Sequence, residues 1–274
     1  AVEYYEKSSL LGNSKGMWNL GYCYSNGRGV SKDLKKAFEF YEKSSLLNNS
    51  QALFTLGECY LNGEGTERDV DKAIECFLQS GNLGNSYALC VLGDFYFNGN
   101  GVEKDFLKSF DFYERSARMK NSDAMNSLGD FYYHGICIKR DYKKAVYFYE
   151  ESCKLGNSTG MWNLGFCYKN GKGVQQNLKK AIEFYSKAAS RGNSNAMNNL
   201  GNCYYKGEGV PKNYSKAVEY YILASNEGNS NASNNLGNCF RKGCGVTQDM
   251  SKAIEFYQKA SNEGNSNAMH TRGD

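Results

Sequence analysis

The chain has 274 residues and a net charge of +4, from 33 basic and 29 acidic side chains. One proline, 30 glycines and a 41 % hydrophobic content exclude a collagen-like, proline-rich or disordered chain. A mean hydropathy of −0.65, with no apolar run approaching about 18 residues, excludes a membrane-spanning helix, and the charge is too weak and dispersed to argue for a nucleic-acid partner.

The predicted elements follow one period. Ala1 to Lys7 align with Ala37 to Lys43, so residues 1–12 are expected to form part of a second helix. From there a Leu-Gly step recurs every 36 residues, at Gly21, Gly57, Gly93, Gly129, Gly165, Gly201 and Gly237. An aromatic residue stands three positions later, from Tyr24 to Phe240. Each unit opens at Asn-Ser, as at Asn13 and Asn49. Asn is a favoured N-cap because its side chain accepts from an orphan backbone N–H. Met17, Leu20, Gly21 and Tyr24 then lie on one helical face. The helix is expected to stop at Gly27, where a left-handed residue is needed, within the loop Asn26-Gly27-Arg28-Gly29-Val30. A second helix starts near Asp33 and carries Leu34, Ala37, Phe38 and Tyr41 as its apolar stripe. Gly12, Gly84, Gly156, Gly192, Gly228 and Gly264 end the second helices, with Asn48 and Lys120 replacing that glycine twice.

A helix pair of this size cannot cover its own apolar face, so stacked copies must share one core. The predicted fold is all-α, a solenoid of helix-loop-helix repeats. The expected organisation is a single array over 1–274, with seven units at 13–48, 49–84, 85–120, 121–156, 157–192, 193–228 and 229–264, and a partial first helix over 265–274. Two copies depart from the pattern. In His134-Gly135-Ile136-Cys137-Ile138 the second loop glycine is lost, which predicts a rearranged turn. Arg272 stands where a core Leu is expected, so Arg272-Gly273-Asp274 reads as a damaged Leu-Gly step rather than an adhesion tripeptide. The chain is expected to be a slice of a longer array with flanking domains.

The pattern Ala196, Leu200, Gly201, Tyr204, Gly207, Gly209, Val210, Lys216, Ala217, Tyr221 and Ala224 resembles the Sel-1-like repeat family. Its paired-glycine loop separates it from the related tetratricopeptide repeat. The resemblance spans the whole chain. It implies a right-handed α-α superhelix whose first helices line a concave groove, and an adaptor or scaffold rather than an enzyme. Family members act in degradation complexes of the endoplasmic reticulum, in fungal cell-wall regulation and among secreted bacterial proteins.

No catalytic, metal or cofactor site is expected. His134 and His270 are nearly four repeats apart, too far to share a ligand. The loop glycines, as in Gly63-Glu64-Gly65, follow a helix rather than the strand a phosphate loop requires. Cys23, Cys59, Cys167, Cys203 and Cys239 share one repeat position. Neighbours there are expected roughly 10 Å apart, beyond the ~7 Å Cα limit of a disulfide, so they read as small buried residues. The secreted, cysteine-rich branch of the family pairs cysteines across unit junctions, but Cys153 faces Met161 in that register. Free thiols favour the cytoplasm, while sequons at Asn48, Asn157, Asn213 and Asn231 keep a secretory site open.

The face of the first helix opposite the core carries Lys15, Trp18, Tyr22 and Ser25. Along the array this face offers Trp18 and Tyr22, then Glu58, Asp94 and Asp130 with Phe54, Phe97 and Tyr133, then Trp162 and Phe166, then Asn198, Asn202, Asn234 and Asn238 with Tyr205 and Arg241. Aromatics supply anchor pockets, acids favour a basic partner, and asparagines suit an extended backbone. The aromatics at the Trp18 position either line this groove or pack between adjacent first helices. The asparagines either bind, stay solvated or ladder with one another. The position occupied by Tyr22, Glu58, Asp94, Asp130, Phe166, Asn202 and Asn238 is the better specificity candidate. The expected function is a non-catalytic interaction scaffold for a peptide or protein. The alternatives are a secreted or luminal cysteine-containing member with β-lactam or haem binding or weak hydrolase activity, as the resemblance allows, and a spacer between flanking domains.

Overall fold

The computed structural model describes residues 1–264, and within them the chain is helical throughout, without strands. The helices are α1 (Val2–Leu10), α2 (Ser14–Asn26), α3 (Leu34–Ser45), α4 (Ser50–Asn62), α5 (Val70–Asn82), α6 (Ser86–Asn98), α7 (Phe106–Arg118), α8 (Ser122–His134), α9 (Tyr142–Lys154), α10 (Ser158–Asn170), α11 (Leu178–Ala189), α12 (Ser194–Lys206), α13 (Tyr214–Asn226), α14 (Ser230–Lys242) and α15 (Met250–Asn262). The even-numbered members are the first helices of successive repeats. The fold class is the expected all-α solenoid of 36-residue helix pairs. The chain divides into two compact units, Ala1–Leu128 and Gly129 onward. The expected partial helix over 265–274, with Arg272, lies outside the described residues.

The caps form where the sequence calls for them. Asn13 Oδ1 accepts from Gly16 N at 3.0 Å, and Asn49 Oδ1 accepts from Ala52 N at 3.0 Å. Asp33 starts α3 in the same way, accepting from Lys36 N at 3.0 Å. Gly27 closes α2 in the left-handed region at φ 67°. The fourth loop differs from the expected rearranged turn. Cys137 takes φ 51°, and the hydrogen bonds Gly135 N to Phe131 O (2.9 Å) and Asp141 N to Tyr132 O (2.9 Å) match those of the other loops. Thirteen-atom and cap hydrogen bonds on both sides outweigh the ~1–2 kcal/mol that a Cβ costs in that region.

The core of the first unit holds Ala37, Tyr41 and Leu56, then Phe77, Leu89, Leu92 and Phe95, all buried. The second unit repeats it with Tyr149 and Leu164, Tyr185 and Leu200, and Tyr221 and Leu236. The Leu-Gly glycine is what lets the pair close. A Cβ on Gly201 would lie 2.5 Å from the Tyr221 ring, and one on Gly165 2.8 Å from Tyr185. Within the first unit, Ser44, Ser80 and Ser116 also donate to the Ser14, Ser50 and Ser86 carbonyls at 2.6–2.7 Å, tying each second helix to its first. Later repeats place Ala188, Ala224 and Ala260 there, fully buried. Cys23, Cys59, Cys167, Cys203 and Cys239 are buried and all ten cysteines are free.

Candidate binding surface

The face of the first helix opposite Leu20 and Gly21 is partly open, and its residues fall into three chemical groups. In the first unit, Trp18 and Tyr22 stack at 5.9 Å with their planes 22° apart. Trp18 Nε1 donates to Thr55 Oγ1 on α4 at 3.2 Å, so this indole does bridge adjacent first helices. The guanidinium of Arg28 sits over the Tyr22 ring at 5.1 Å. Phe54 packs on Phe77 at 5.5 Å, and Phe97 on Phe106 at 5.4 Å.

The second group is acidic. Glu58 and Asp94 are exposed in the first unit, and Asp130 is half-buried in the second. All three carboxyls are pushed above the usual carboxylate range, chiefly because surrounding protein atoms desolvate them. Asp94 is nevertheless an acceptor: Tyr113 Oη donates to it at 2.5 Å. Tyr149 Oη donates to Asp130 at 2.7 Å, and Asn163 from the next first helix adds a bond at 3.3 Å. The hydroxyl bonds pull these carboxyls back down, less than desolvation raises them.

The third group is amide. Tyr221 Oη donates to Asn202 at 2.8 Å and Tyr257 Oη to Asn238 at 3.0 Å. Asn235 Nδ2 donates to Asn198 at 2.9 Å and to Asn202 at 3.4 Å. Asn198 is 8 % exposed. Asn198 and Asn202 therefore ladder through Asn235, one of the alternatives open from sequence, whereas Asn238 meets only Tyr257 and the Asn234 Oδ1 is buried without a hydrogen-bond partner. Arg241 is exposed. Trp162 and Tyr133 both approach Phe166, each at 6.3 Å between ring centres, and Trp162 Nε1 is buried without a hydrogen-bond partner.

One rule connects these observations, and sequence reasoning missed it. The second-helix tyrosine nineteen residues after the groove position reaches through and caps it. It does so at Asp94, Asp130, Asn202 and Asn238. The signal was present as a tyrosine recurring at Tyr113, Tyr149, Tyr221 and Tyr257, the repeat position at which the sequence reading took Tyr41 only as part of an apolar stripe. Three repeats escape the rule. In the first, the residue nineteen before Tyr41 is Tyr22, and the Tyr41 hydroxyl instead donates to Ser25 Oγ at 3.3 Å. In the fifth, Phe166 offers no acceptor, and the Tyr185 hydroxyl is buried and unpaired. In the second, Phe77 has no hydroxyl to give, and Glu58 has neither a hydrogen bond nor an ion pair.

Among the described residues no cluster of His, Cys, Asp and Glu could hold a metal ion, and no helix is long and apolar enough to cross a membrane.

The Sel1 repeat model matches eight successive segments, 1–13, 14–49, 50–85, 86–121, 122–157, 158–193, 194–229 and 230–265. These bounds differ by one residue from those read off the Asn-Ser step. Among solved structures, a protective antigen of uropathogenic Escherichia coli with the same repeat fold is 29 % identical, with a TM-score of 0.83 over 98 % of this chain. The chain spans 57 % of that antigen's length. A Sel1 repeat protein of Oxalobacter formigenes is 23 % identical, with a TM-score of 0.82 over 89 % of this chain and 96 % of its own. An immunity protein of Pseudomonas aeruginosa is 23 % identical at a TM-score of 0.55, over 79 % of this chain and 83 % of its own. No curated protein matches the chain significantly. With the family model covering nearly every residue and the helix pairs, paired-glycine loops and Leu-Gly contacts all in place, the chain belongs to the Sel1 repeat family.

Proposed function

We propose that the protein is a non-catalytic scaffold that binds an extended, basic segment of a partner protein along the first-helix face. Repeats of this family serve generally in protein–protein interaction, and that much comes with membership. The reading for this chain is supported by one observation above the others. Glu58, Asp94 and Asp130 reach solvent, yet each is surrounded closely enough for desolvation to raise its carboxyl. A carboxylate held in that condition gains from a cation that replaces lost water. Trp18, Tyr22, Tyr133, Trp162 and Phe166 add ring surface, and aromatic anchors are the residues that dominate interface energetics. Asn198, Asn202, Asn234, Asn238 and Arg241 complete the surface in the last repeats. Ten free thiols accord with a reducing compartment, and we place the protein in the cytoplasm on that ground.

The test is selection of binding peptides from a random display library on the full chain, followed by Glu58→Gln with Asp94→Asn and Asp130→Asn. Amides are chosen because Asn already accepts the tyrosine hydroxyl at Asn202 and Asn238, whereas Lys would strand the Tyr113 and Tyr149 hydroxyls. Selected peptides are expected to be rich in Lys and Arg, and to lose about tenfold in affinity on the neutralised chain, as removal of charge-assisted bonds does. Peptides without basic residues, or basic peptides bound equally by both chains, would overturn the assignment.

A further inference from the structure

A cleft of about 390 Å³ lies between the first helices α2 and α4 in the first unit. Trp18, Tyr22 and Tyr41 contribute rings, Thr55 contributes a hydroxyl, and Glu58 and Glu64 contribute carboxylates.

We infer that this cleft is an arginine-binding subsite, which takes the guanidinium of a partner segment between the Trp18–Tyr22 rings and the two carboxylates. The inference rests on the binding function proposed above and names one recognition element within it.

Four features carry it. First, Glu58 is free. Asp94 and Asp130 each accept a tyrosine hydroxyl, but the residue that would cap Glu58 is Phe77, so its oxygens keep their lone pairs for a ligand. Second, Glu64 lines the same cleft from the loop, and its negative charge adds to the desolvation that already raises Glu58. One cation beside Glu58 relieves both its desolvation and its repulsion by Glu64. Third, the aromatic wall is already assembled, with Trp18 and Tyr22 stacked and the indole anchored on Thr55 at 3.2 Å. Binding does not have to order those rings. Fourth, Tyr22 accepts a guanidinium in the structure itself, from Arg28 at 5.1 Å, and Arg28 is not among the residues that line the cleft. Arginine suits the site better than lysine. Its planar group can stack on a ring and present paired N–H donors to carboxylates at the same time, while an ammonium is a strongly hydrated point charge.

The chain carries its own reporters, because its two tryptophans fall one in each unit. In the full-length protein the indole N–H resonances of Trp18 and Trp162 are resolved and assigned with Trp162→Phe. The probe is a capped five-residue peptide with one central arginine among alanines, with citrulline and lysine counterparts. The arginine peptide is expected to shift the Trp18 resonance saturably and leave Trp162 in place. The citrulline peptide, isosteric and uncharged, is expected to shift neither. Glu58→Gln combined with Glu64→Gln should weaken the response about tenfold with helicity and Tm unchanged, as loss of a charge-assisted pair does. A Trp18 resonance unmoved at millimolar arginine peptide overturns the subsite, as does equal binding by the double variant. An equal response to the lysine peptide overturns the preference for arginine. Failure here is separable from failure of the wider function. Display-selected peptides that lose affinity with Asp130→Asn but not with Glu58→Gln and Glu64→Gln would leave the binding face standing and remove the subsite alone.

Discussion

A buried tyrosine hydroxyl in this fold is stabilising only when the facing residue can accept. Tyr221 and Tyr185 occupy the same repeat position and are almost equally buried, at 2 % and 0 % exposure. Tyr221 donates to Asn202. At Tyr185, Phe166 stands opposite and offers no acceptor, and the hydroxyl makes no hydrogen bond of good geometry, with Asn199 of the next repeat as a polar neighbour. Desolvation pushes both phenols up, so neither ionises near neutral pH. Tyr221→Phe is expected to cost about 1 kcal/mol and leave the Asn202 amide oxygen short of a donor. Tyr185→Phe removes an unsatisfied group and is expected to be neutral or mildly stabilising. Urea titrations of the two variants check this. Equal losses would mean that the Asn202 bond contributes nothing specific.

The element that tests backbone strain is the loop between α8 and α9. Cys137 occupies the site that is glycine in the other loops, at φ 51° against 75° for Gly209. Cys137→Gly relieves a left-handed Cβ and is expected to stabilise the chain by about 1 kcal/mol. The reverse change at the equivalent loop should destabilise by more. A Cβ on Gly209 would meet Ile182 Cδ1 at 2.7 Å and Leu178 Cβ at 2.9 Å, on the start of the preceding second helix. Thermal melts of Cys137→Gly and Gly209→Ala should move in opposite directions. A fall in Tm for both would show that the Cys137 side chain contributes more than its conformation costs.

For the whole molecule, stability is distributed over repeat interfaces, and the cysteines report how tightly those interfaces close. Burial pushes the thiols of Cys59, Cys90, Cys167 and Cys239 up to about 12. Cys137 is exposed. Maleimide at neutral pH is expected to modify Cys137 rapidly and these four only as the array opens, with all ten reacting in denaturant. Modification of Cys167 as fast as Cys137, followed by mass spectrometry of the digest, would show repeats that separate in the native state.

The repeat, the helix pairs, their caps and the buried cysteines are all legible in the amino-acid order. Each of these depends on contacts within one unit or between adjacent units, and an unbroken 36-residue period writes those contacts out. The amino-acid order also named the residues of the first-helix face, because helical geometry separates Trp18 and Tyr22 from Leu20 and Gly21. It misjudged the turn at Cys137, where the surrounding hydrogen bonds hold a conformation that the local residue disfavours. Which face residues are already engaged emerges only from the packed helices. Asp94, Asp130, Asn202 and Asn238 spend an acceptor on a tyrosine from the second helix, across a packing contact that helical periodicity does not encode. Glu58 is left free because Phe77 carries no hydroxyl. That difference of one oxygen, meaningful only once the two helices are packed, separates an occupied carboxylate from an available one.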